Sequence, residues 1–275
     1  MFDSHVHAAP DVLPRLGDDL AIGQTYLDAG YSGFVLKGHY EPTVGRAQAV
    51  ARATGLRVYG GVALNQHVGG INPAAVAAAL GAGGRVVWFP TADAHTQRTA
   101  GLPRLHDQDP RLPDSVYGVP PVDPAGEEPA EQVLRLIGEA DAVLATGHLS
   151  GPECHWLASR APHHGIDRVL FIHPSYTVPG LGPSEIAELA ATGGHIEITT
   201  YQLLHQPGCT PEMLAAVARA AGPKLVLASD AGQQDTPNPP DALQLLIDTL
   251  AAEGLDRSWL LDAASTVPEA LFSPR

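Results

Sequence analysis

Eight short apolar runs, rich in valine, isoleucine and leucine, are the feature of this sequence that most constrains its fold. Each run precedes a longer alanine- and leucine-rich stretch with helical spacing, and this alternation is typical of βα units on a parallel sheet. The predicted strands cover residues 2–7, 33–39, 57–64, 85–90, 142–148, 168–173, 195–199 and 224–230. Eight such units close naturally into an α/β fold of the (β/α)8 TIM-barrel type, here as a single domain over residues 1–275.

The helical stretches between these runs support the same fold. Several begin with proline or a capping residue, such as Asn72, Ser184 and Thr210, and several end with glycine. The alternative fold is an open doubly wound sheet. Eight alternating units, with no change of amino-acid composition along the chain, favour the closed barrel instead. The predicted helices cover residues 18–29, 44–54, 72–80, 127–140, 152–161, 183–191, 211–221 and 240–252.

A long connection follows the fourth predicted strand. Residues 91–126 are rich in proline and include His95 and His106. Connections longer than about 15 residues in compact domains are usually functional lids or disordered. Because this one leaves the C-terminal face of the barrel, where barrel active sites lie, we expect a lid or substrate-specificity loop. The alternative is a surface excursion without function.

The amino-acid composition limits which binding partners and which cellular compartment we expect for this protein. The 30 acidic residues exceed the 16 Lys and Arg, and a net charge of −14 would repel phosphate backbones and anionic membranes. No stretch approaches about 18 consecutive apolar residues, so we expect no membrane partner. The two cysteines, Cys154 and Cys209, form no disulfide framework and predict a cytoplasmic protein. A homo-oligomer is compatible with all of this.

Five potential metal ligands lie where predicted strands end. Strand residues two apart point to the same face, so His5 and His7 project together while Val6 faces the helices. In a barrel, that shared face is the interior mouth. The ends of three further strands bring His148, His173 and Asp230 to the same rim.

Imidazole and carboxylate ligands together suit a divalent transition metal, most favourably zinc, with manganese, iron or nickel as alternatives. An incomplete coordination sphere leaves room for water, whose pKa the metal would lower, and for a carbonyl that it would polarise. Polar residues that merely cap strands are the alternative interpretation, but five at one rim argue against it. We therefore expect one or two ions and a small-molecule substrate.

The ordered set of a strand 1 HxH pair, two later histidines and an aspartate after strand 8 resembles the amidohydrolase superfamily of metal-dependent hydrolases. The strings at 35–39 (VLKGH), 60–65 (GGVALN) and 145–150 (ATGHLS) resemble a poorly characterised branch of it. The resemblance implies that His5, His7 and Asp230 hold the more buried metal, and that His148 and His173 hold a second metal or contact substrate. It also implies that Asp230 takes a proton from the attacking water and passes it to the leaving group, which is general acid–base catalysis.

The chain departs from the two-metal pattern on strand 4, where residues 86–91 contain neither lysine nor glutamate. Lys37 on strand 2 is the obvious substitute, because it shares one face with Val35 and His39. It could bridge two metals, orient a substrate carboxylate as a cation, or form a structural ion pair. The number of metal ions stays open between one and two.

Other residues are weaker candidates for substrate binding. His39 shares the face of Lys37, and Arg46 and Asn65 lie just beyond strands 2 and 3. Glu197 alternates inward on strand 7, where it could contact substrate, bind metal or support a ligand. Asp11 could orient a histidine, a support that metal sites commonly require.

The leading hypothesis is hydrolysis of an amide, cyclic amide or imide, or lactone by metal-activated water. Decarboxylation or phosphoester cleavage on the same scaffold is an alternative, since fold does not fix the reaction. A phosphoesterase needs a cationic mouth, and Lys37 and Arg46 are the cations that the sequence suggests for one. A barrel that binds a metal or small ligand without turnover is the third possibility.

Overall fold

The structure, a computed structural model, describes residues 1–102, 111 and 114–275. Its strands are paired in parallel, in chain order, and are buried over almost their whole length. They are β1 (Phe2–Val6), β2 (Gly33–Leu36), β3 (Arg57–Tyr59), β4 (Gly61–Ala63), β5 (Val86–Trp88), β6 (Val143–Ala145), β7 (Val169–Phe171), β8 (His195–Thr199) and β9 (Leu225–Ala228).

Two connections close these strands into a barrel. β3 and β4 form one barrel strand interrupted at Gly60, and β3 pairs with β2 while β4 pairs with β5. At the other seam, the amide of His7 donates to the carbonyl oxygen of Ala231 at 2.9 Å. The amide of Asp230 donates to the carbonyl oxygen of His5, also at 2.9 Å. The predicted (β/α)8 barrel is confirmed.

Helices connect the strands on the outside of the barrel. They pack an apolar stripe against the outward side chains of the strands, which is where the larger of the two hydrophobic clusters lies. The described part of the chain contains no helix that could span a lipid bilayer. The helices are α1 (Asp19–Asp28), α2 (Val44–Thr54), α3 (Pro73–Gly81), α4 (His95–Thr99), α5 (Glu127–Glu139), α6 (Gly151–Arg160), α7 (Pro183–Ala191), α8 (Thr200–His205), α9 (Pro211–Ala221), α10 (Pro239–Ala252), α11 (Arg257–Ala263) and α12 (Thr266–Phe272).

Apolar side chains fill the barrel interior, and α12 closes its N-terminal end. Trp88 of β5 is the largest fully buried side chain in this interior cluster, which also contains Leu271 and Phe272 of α12. The ring of Phe272 stacks on that of Phe2, with 6.3 Å between the centroids. Arg168 donates from Nη1 to the carbonyl oxygen of Leu271 at 2.6 Å. The opposite, C-terminal end is therefore the open one.

The predicted elements are present, with shorter strands. Each of the eight predicted strands is found, and α2 begins and ends where its pattern predicts. The strands that carry His148, His173 and Asp230 end two residues or more before those side chains, because the chain turns out of the sheet at its C-terminal rim. The short helices α4, α8, α11 and α12 are not predicted by the pattern.

The long connection after β5 starts and ends on the barrel. It contains α4, and Ala94 and Tyr117 form an isolated parallel bridge that joins its two sides. This arrangement holds the beginning and end of the connection at the C-terminal face, as expected for a lid or specificity loop, and that role stays a prediction. His106 lies outside the described residues.

We expect Phe272→Ala to lower the free energy of unfolding by about 3–5 kcal/mol, because it removes a fully buried aromatic ring that closes the barrel. Urea unfolding followed by circular dichroism measures this. Leu261→Ala, on neighbouring α11 with its side chain 38% exposed, is the matched control and should cost much less. Equal losses in the two variants would contradict the role of α12.

Candidate metal centre

A β-bulge in β1 turns the two histidines of the HxH pair into the barrel. Asp3 of β1 pairs with Phe34 of β2. Three residues later, Val6 pairs with Leu36, which is only two residues further along β2. Phe2 packs in the barrel interior, so regular alternation would point both histidines outward. The one extra residue reverses the alternation and directs them inward.

The carboxylate of Asp3 holds this bulge. Its Oδ1 accepts the backbone amides of His5 at 3.2 Å and Ser229 at 3.0 Å. Its Oδ2 accepts the hydroxyl of Tyr26 on α1 at 2.6 Å. Burial raises the pKa of Asp3 to about 6, although these hydrogen bonds oppose the shift. Our sequence reasoning missed Asp3, whose signal is a carboxylate two residues before the HxH pair.

Three side chains converge on one point at the floor of the mouth. Oδ1 of Asp230 lies 3.1 Å from Nε2 of His5 and 3.2 Å from Nε2 of His7. Potential ligand atoms of these three buried residues all lie within 4.8 Å of one another. Zinc binds such atoms at about 2.0–2.2 Å, so ligands on one ion lie roughly 3.0–3.5 Å apart. The arrangement fits a single divalent metal ion.

The other side of the His5 ring faces Glu197, which is fully buried. Oε2 of Glu197 lies 3.0 Å from Nδ1 of His5. Burial raises the pKa of Glu197 to about 8. In its ionised form this carboxylate only accepts, which places the imidazole proton on Nδ1 and leaves the Nε2 lone pair for a cation. In this structure that lone pair faces the amino group of Lys37, with 3.0 Å between Nζ and Nε2.

The mouth holds five histidines, three of them buried and two, His39 and His148, partly buried. Burial lowers the pKa of each below the ordinary imidazole range. The pKa of His5 falls to about 3, and the other four lie well below 6.5. The charge of Lys37 adds to this lowering for every ring. Neutral imidazoles keep a lone pair for a metal or a substrate proton. They are His5, His7, His39, His148 and His173.

The remaining predicted ligands lie beside the three-residue group. The rings of His148 and His173 are 5.0 Å apart, and His173 stacks on His5 with 5.9 Å between centroids. His39 stacks on His7 at 5.1 Å. Nδ1 of His173 is buried and has no hydrogen-bond partner among the described residues, so it can accept a ligand. Whether His148 and His173 bind a second metal stays a prediction.

Lys37 is the predicted substitute for a strand 4 bridge. Its side chain is buried, and burial lowers its pKa while the negative charges of Asp230 and Glu197 oppose the shift. On β5 itself, Trp88 fills the barrel interior and offers no ligand. Lys37 is thus at the mouth as expected, and its contact with His5 leaves both bridging and electrostatic roles open.

A cavity of about 330 Å³ lies above this floor and is large enough for a small organic molecule. The mouth histidines other than His5 line it, together with Lys37 and Asp230. Apolar and polar residues of loops and of the short helices α4 and α8 form the rest of the wall. Sequence reasoning missed these residues, because they lie on segments whose conformation periodicity does not predict: Leu13, Arg15, Ala92, Gln97, Leu102, Tyr176, Tyr201 and Gln233.

Besides Lys37, a second cation, Arg15, lines the cavity wall. Its Nη2 lies 3.3 Å from Nδ1 of His7, and it forms a buried ion pair with Asp11 at 2.6 Å. Asp11 therefore contacts Arg15 and not a histidine, so it orients His7 only through Arg15. Arg46, which the sequence suggested as a mouth cation, forms ion pairs with Asp19 and Glu41 outside the cavity.

Two further predicted substrate contacts also lie away from the cavity wall. The Nδ2 of Asn65 donates to Thr91 Oγ1 at 2.7 Å and to the carbonyl oxygen of His39 at 2.8 Å. Its Oδ1 accepts the amide of Thr91 at 2.9 Å, so Asn65 organises loops. Glu197 lies behind His5. The expectation that Arg46, Asn65 and Glu197 touch substrate thus has no support in this geometry, because none of the three lines the cavity.

Comparison with solved structures supports the fold assignment. An organophosphorus hydrolase from Deinococcus radiodurans is 15% identical, with a TM-score of 0.64 over 99% of this chain and 92% of that one. An engineered organophosphate hydrolase built on a weak promiscuous lactonase template gives the same identity and TM-score over 99% and 95%. An amidohydrolase from Pseudomonas aeruginosa is 9% identical, with a TM-score of 0.60 over 98% and 96%.

No curated protein matches the chain by sequence. A family model does match, over residues 1–197. This range includes β1 to β7 and the first three residues of β8. Of the mouth residues, only Tyr201, Asp230 and Gln233 lie beyond it. On the strength of this match, the chain belongs to the family described as "Family of unknown function (DUF6282)".

Proposed function

We propose that this protein is a metal-dependent hydrolase that opens an amide, cyclic amide or imide, or lactone bond of a small molecule. The observation that carries the proposal is the convergence of His5, His7 and Asp230 on one point at the floor of a cavity. Its barrel is similar to that of proteins named as a lactonase template, an organophosphorus hydrolase and an amidohydrolase, which supports hydrolytic chemistry.

The three converging residues would hold the metal ion, and zinc suits two imidazoles and a carboxylate best. A divalent ion there would lower the pKa of a bound water molecule and would place positive charge beside the carbonyl oxygen of the substrate. One ion is proposed, because within the described chain only His5, His7 and Asp230 form such a ligand group. Glu197 orients the His5 ring, and the buried ammonium of Lys37 adds positive charge beside it.

Asp230 is the proposed proton carrier. Its Oδ1 faces the two histidines, while its Oδ2 has no hydrogen-bond partner among the described residues and lines the open cavity. Burial raises the pKa of Asp230 above that of an ordinary aspartate, which makes it a better base for water. His173 and His148, both neutral, face the same space and would contact the carbonyl or the leaving group.

The free thiols favour the cytoplasm as the site of action. Cys154 is buried and Cys209 is partly buried, and both are unpaired. Free cysteines persist in reducing compartments. The acidic chain supports a small-molecule substrate rather than a nucleic acid or a membrane surface. A homo-oligomer remains compatible with this proposal.

We expect Asp230→Asn to lower kcat/KM by about a hundredfold to ten-thousandfold, because the amide cannot take the proton from water. Hydrolysis of a panel of lactones, N-acyl amino acids and cyclic imides measures this, with metal content from mass spectrometry. The variant should keep part of its metal through the two histidines. Asp248→Asn, whose side chain is half exposed and pairs with Arg257, should match the unchanged protein. Unaltered turnover in Asp230→Asn would eliminate the proton-carrier role.

Removal of metal by dipicolinate should abolish hydrolysis and lower the thermal midpoint. An ion that binds only the folded state stabilises it by about 4 kcal/mol when free metal is about a thousandfold above Kd. Adding zinc should restore both properties, whereas magnesium, which prefers oxygen ligands, should not. Identical melting curves before and after treatment, with no metal in the purified protein, would refute the proposed centre.

A further inference from the structure

Arg15 is a buried cation at the cavity wall, and the backbone around it is fixed. Arg15 forms an isolated antiparallel bridge with Gln233, and the amide of Leu16 donates to the carbonyl oxygen of Gly232 at 2.7 Å. Its side chain is 2% exposed yet lines the cavity together with Asp230. The loops after β1 and β9 thus position one guanidinium group beside the proposed metal centre.

Asp11 orients this guanidinium group but contacts only two of its three nitrogens. Nε of Arg15 donates to Oδ2 of Asp11 at 2.8 Å, and Nη2 lies 2.6 Å from the same oxygen. Oδ1 of Asp11 accepts the amide of Leu13 at 3.3 Å. Nη1 of Arg15 has no hydrogen-bond partner among the described residues, and it is not among the buried atoms left unpaired. It therefore faces the accessible cavity as a donor without an acceptor.

His7 does not supply the missing acceptor. Its Nδ1 lies 3.3 Å from Nη2 of Arg15. When Nε2 of a neutral imidazole binds a metal, the ring proton is on Nδ1, so two donors then face each other. The guanidinium of Arg15 consequently has its full charge and at least one nitrogen available to a ligand in the cavity.

The surroundings of Arg15 suit an anion with an apolar body. Tyr176 and Tyr201 line the same wall with 5.9 Å between their ring centroids, and neither hydroxyl has a partner among the described residues. Leu13 and Leu102 provide apolar contacts. Guanidinium and phenol groups are typical donors to a carboxylate.

The charges around the mouth lead to the same conclusion. Arg15 and Lys37 face three carboxylates, those of Asp11, Glu197 and Asp230. Arg15, Lys37 and a divalent ion would together carry four positive charges against three negative ones on these carboxylates, a surplus that lasts until the bound water loses its proton. Burying a surplus charge is unfavourable, and an anionic ligand removes that cost.

We propose that Arg15 is a specificity residue that binds a carboxylate of the substrate through Nη1, so that the substrate is a small molecule carrying both the scissile bond and a carboxylate. This inference rests on the proposed hydrolase function. Arg15 is new in this role. Lys37, the other cation at the cavity wall, interacts with the negative charges of Asp230 and Glu197 and lies beside the proposed metal ligand His5.

Calorimetric titration of zinc-loaded protein with benzoate and with its neutral isostere benzamide tests the proposal. We expect benzoate to bind at least tenfold more tightly than benzamide. Arg15→Gln should lose at least tenfold in benzoate affinity and leave benzamide unaffected, with zinc content unchanged. Arg15→Lys keeps the charge but has no donor at the position of Nη1, and should retain only part of the preference. Arg57→Gln, a half-exposed surface arginine, is the matched control and should behave like the unchanged protein.

Equal benzoate affinity in the unchanged protein and in folded Arg15→Gln, at equal zinc content, would overturn the role of Arg15 and leave the hydrolase proposal intact. A protein that never retains zinc would instead remove the proposed function. If Arg15→Gln fails to fold, Arg15→Lys gives the decision, since an undiminished benzoate affinity in that variant contradicts binding through Nη1.

Discussion

The seam between the first and last barrel strands is the interaction on which the rest of this structure depends. The backbone of His5 accepts the amide of Asp230, and its side chain meets the Asp230 carboxylate at 3.1 Å. The same two residues therefore close the barrel and form the proposed metal centre. Asp3 joins both strands by accepting the amide of Ser229, so fold closure and ligand geometry are fixed together. A change at this seam acts on stability and on chemistry at once.

Such a seam carries costs that the surrounding packing must offset. Asp230 and His173 have φ values of 50° and 24°, a left-handed conformation that is unfavourable for residues with a side chain. Both leave their strands at the rim and point towards the cavity. The mouth also buries three imidazoles and several carboxylates, which is tolerated because the imidazoles are neutral and each carboxylate meets at least one donor or cation. Such strain and buried polarity at one rim are typical of functional sites.

Sequence periodicity predicted the barrel and the residues that its strands bring together. His148, His173 and Asp230 could be assigned to one rim because strand ends in a parallel barrel share a direction. Periodicity could not predict the β1 bulge, in which one inserted residue reverses the alternation and directs the HxH pair inward. Arg15 on a loop was missed and Arg46 on α2 was misplaced for a related reason: the position of such a long side chain depends on long-range contacts that a local pattern does not contain.

A metal ion at the β1–β9 seam is what the proposed chemistry requires. A crystal structure with anomalous scattering measured above and below the zinc edge tests it directly. We predict one anomalous peak of full occupancy, bounded by Nε2 of His5, Nε2 of His7 and Oδ1 of Asp230, with ligand distances of about 2.0–2.2 Å. No peak at these three atoms in crystals grown with zinc, or a peak held by other residues, would contradict it.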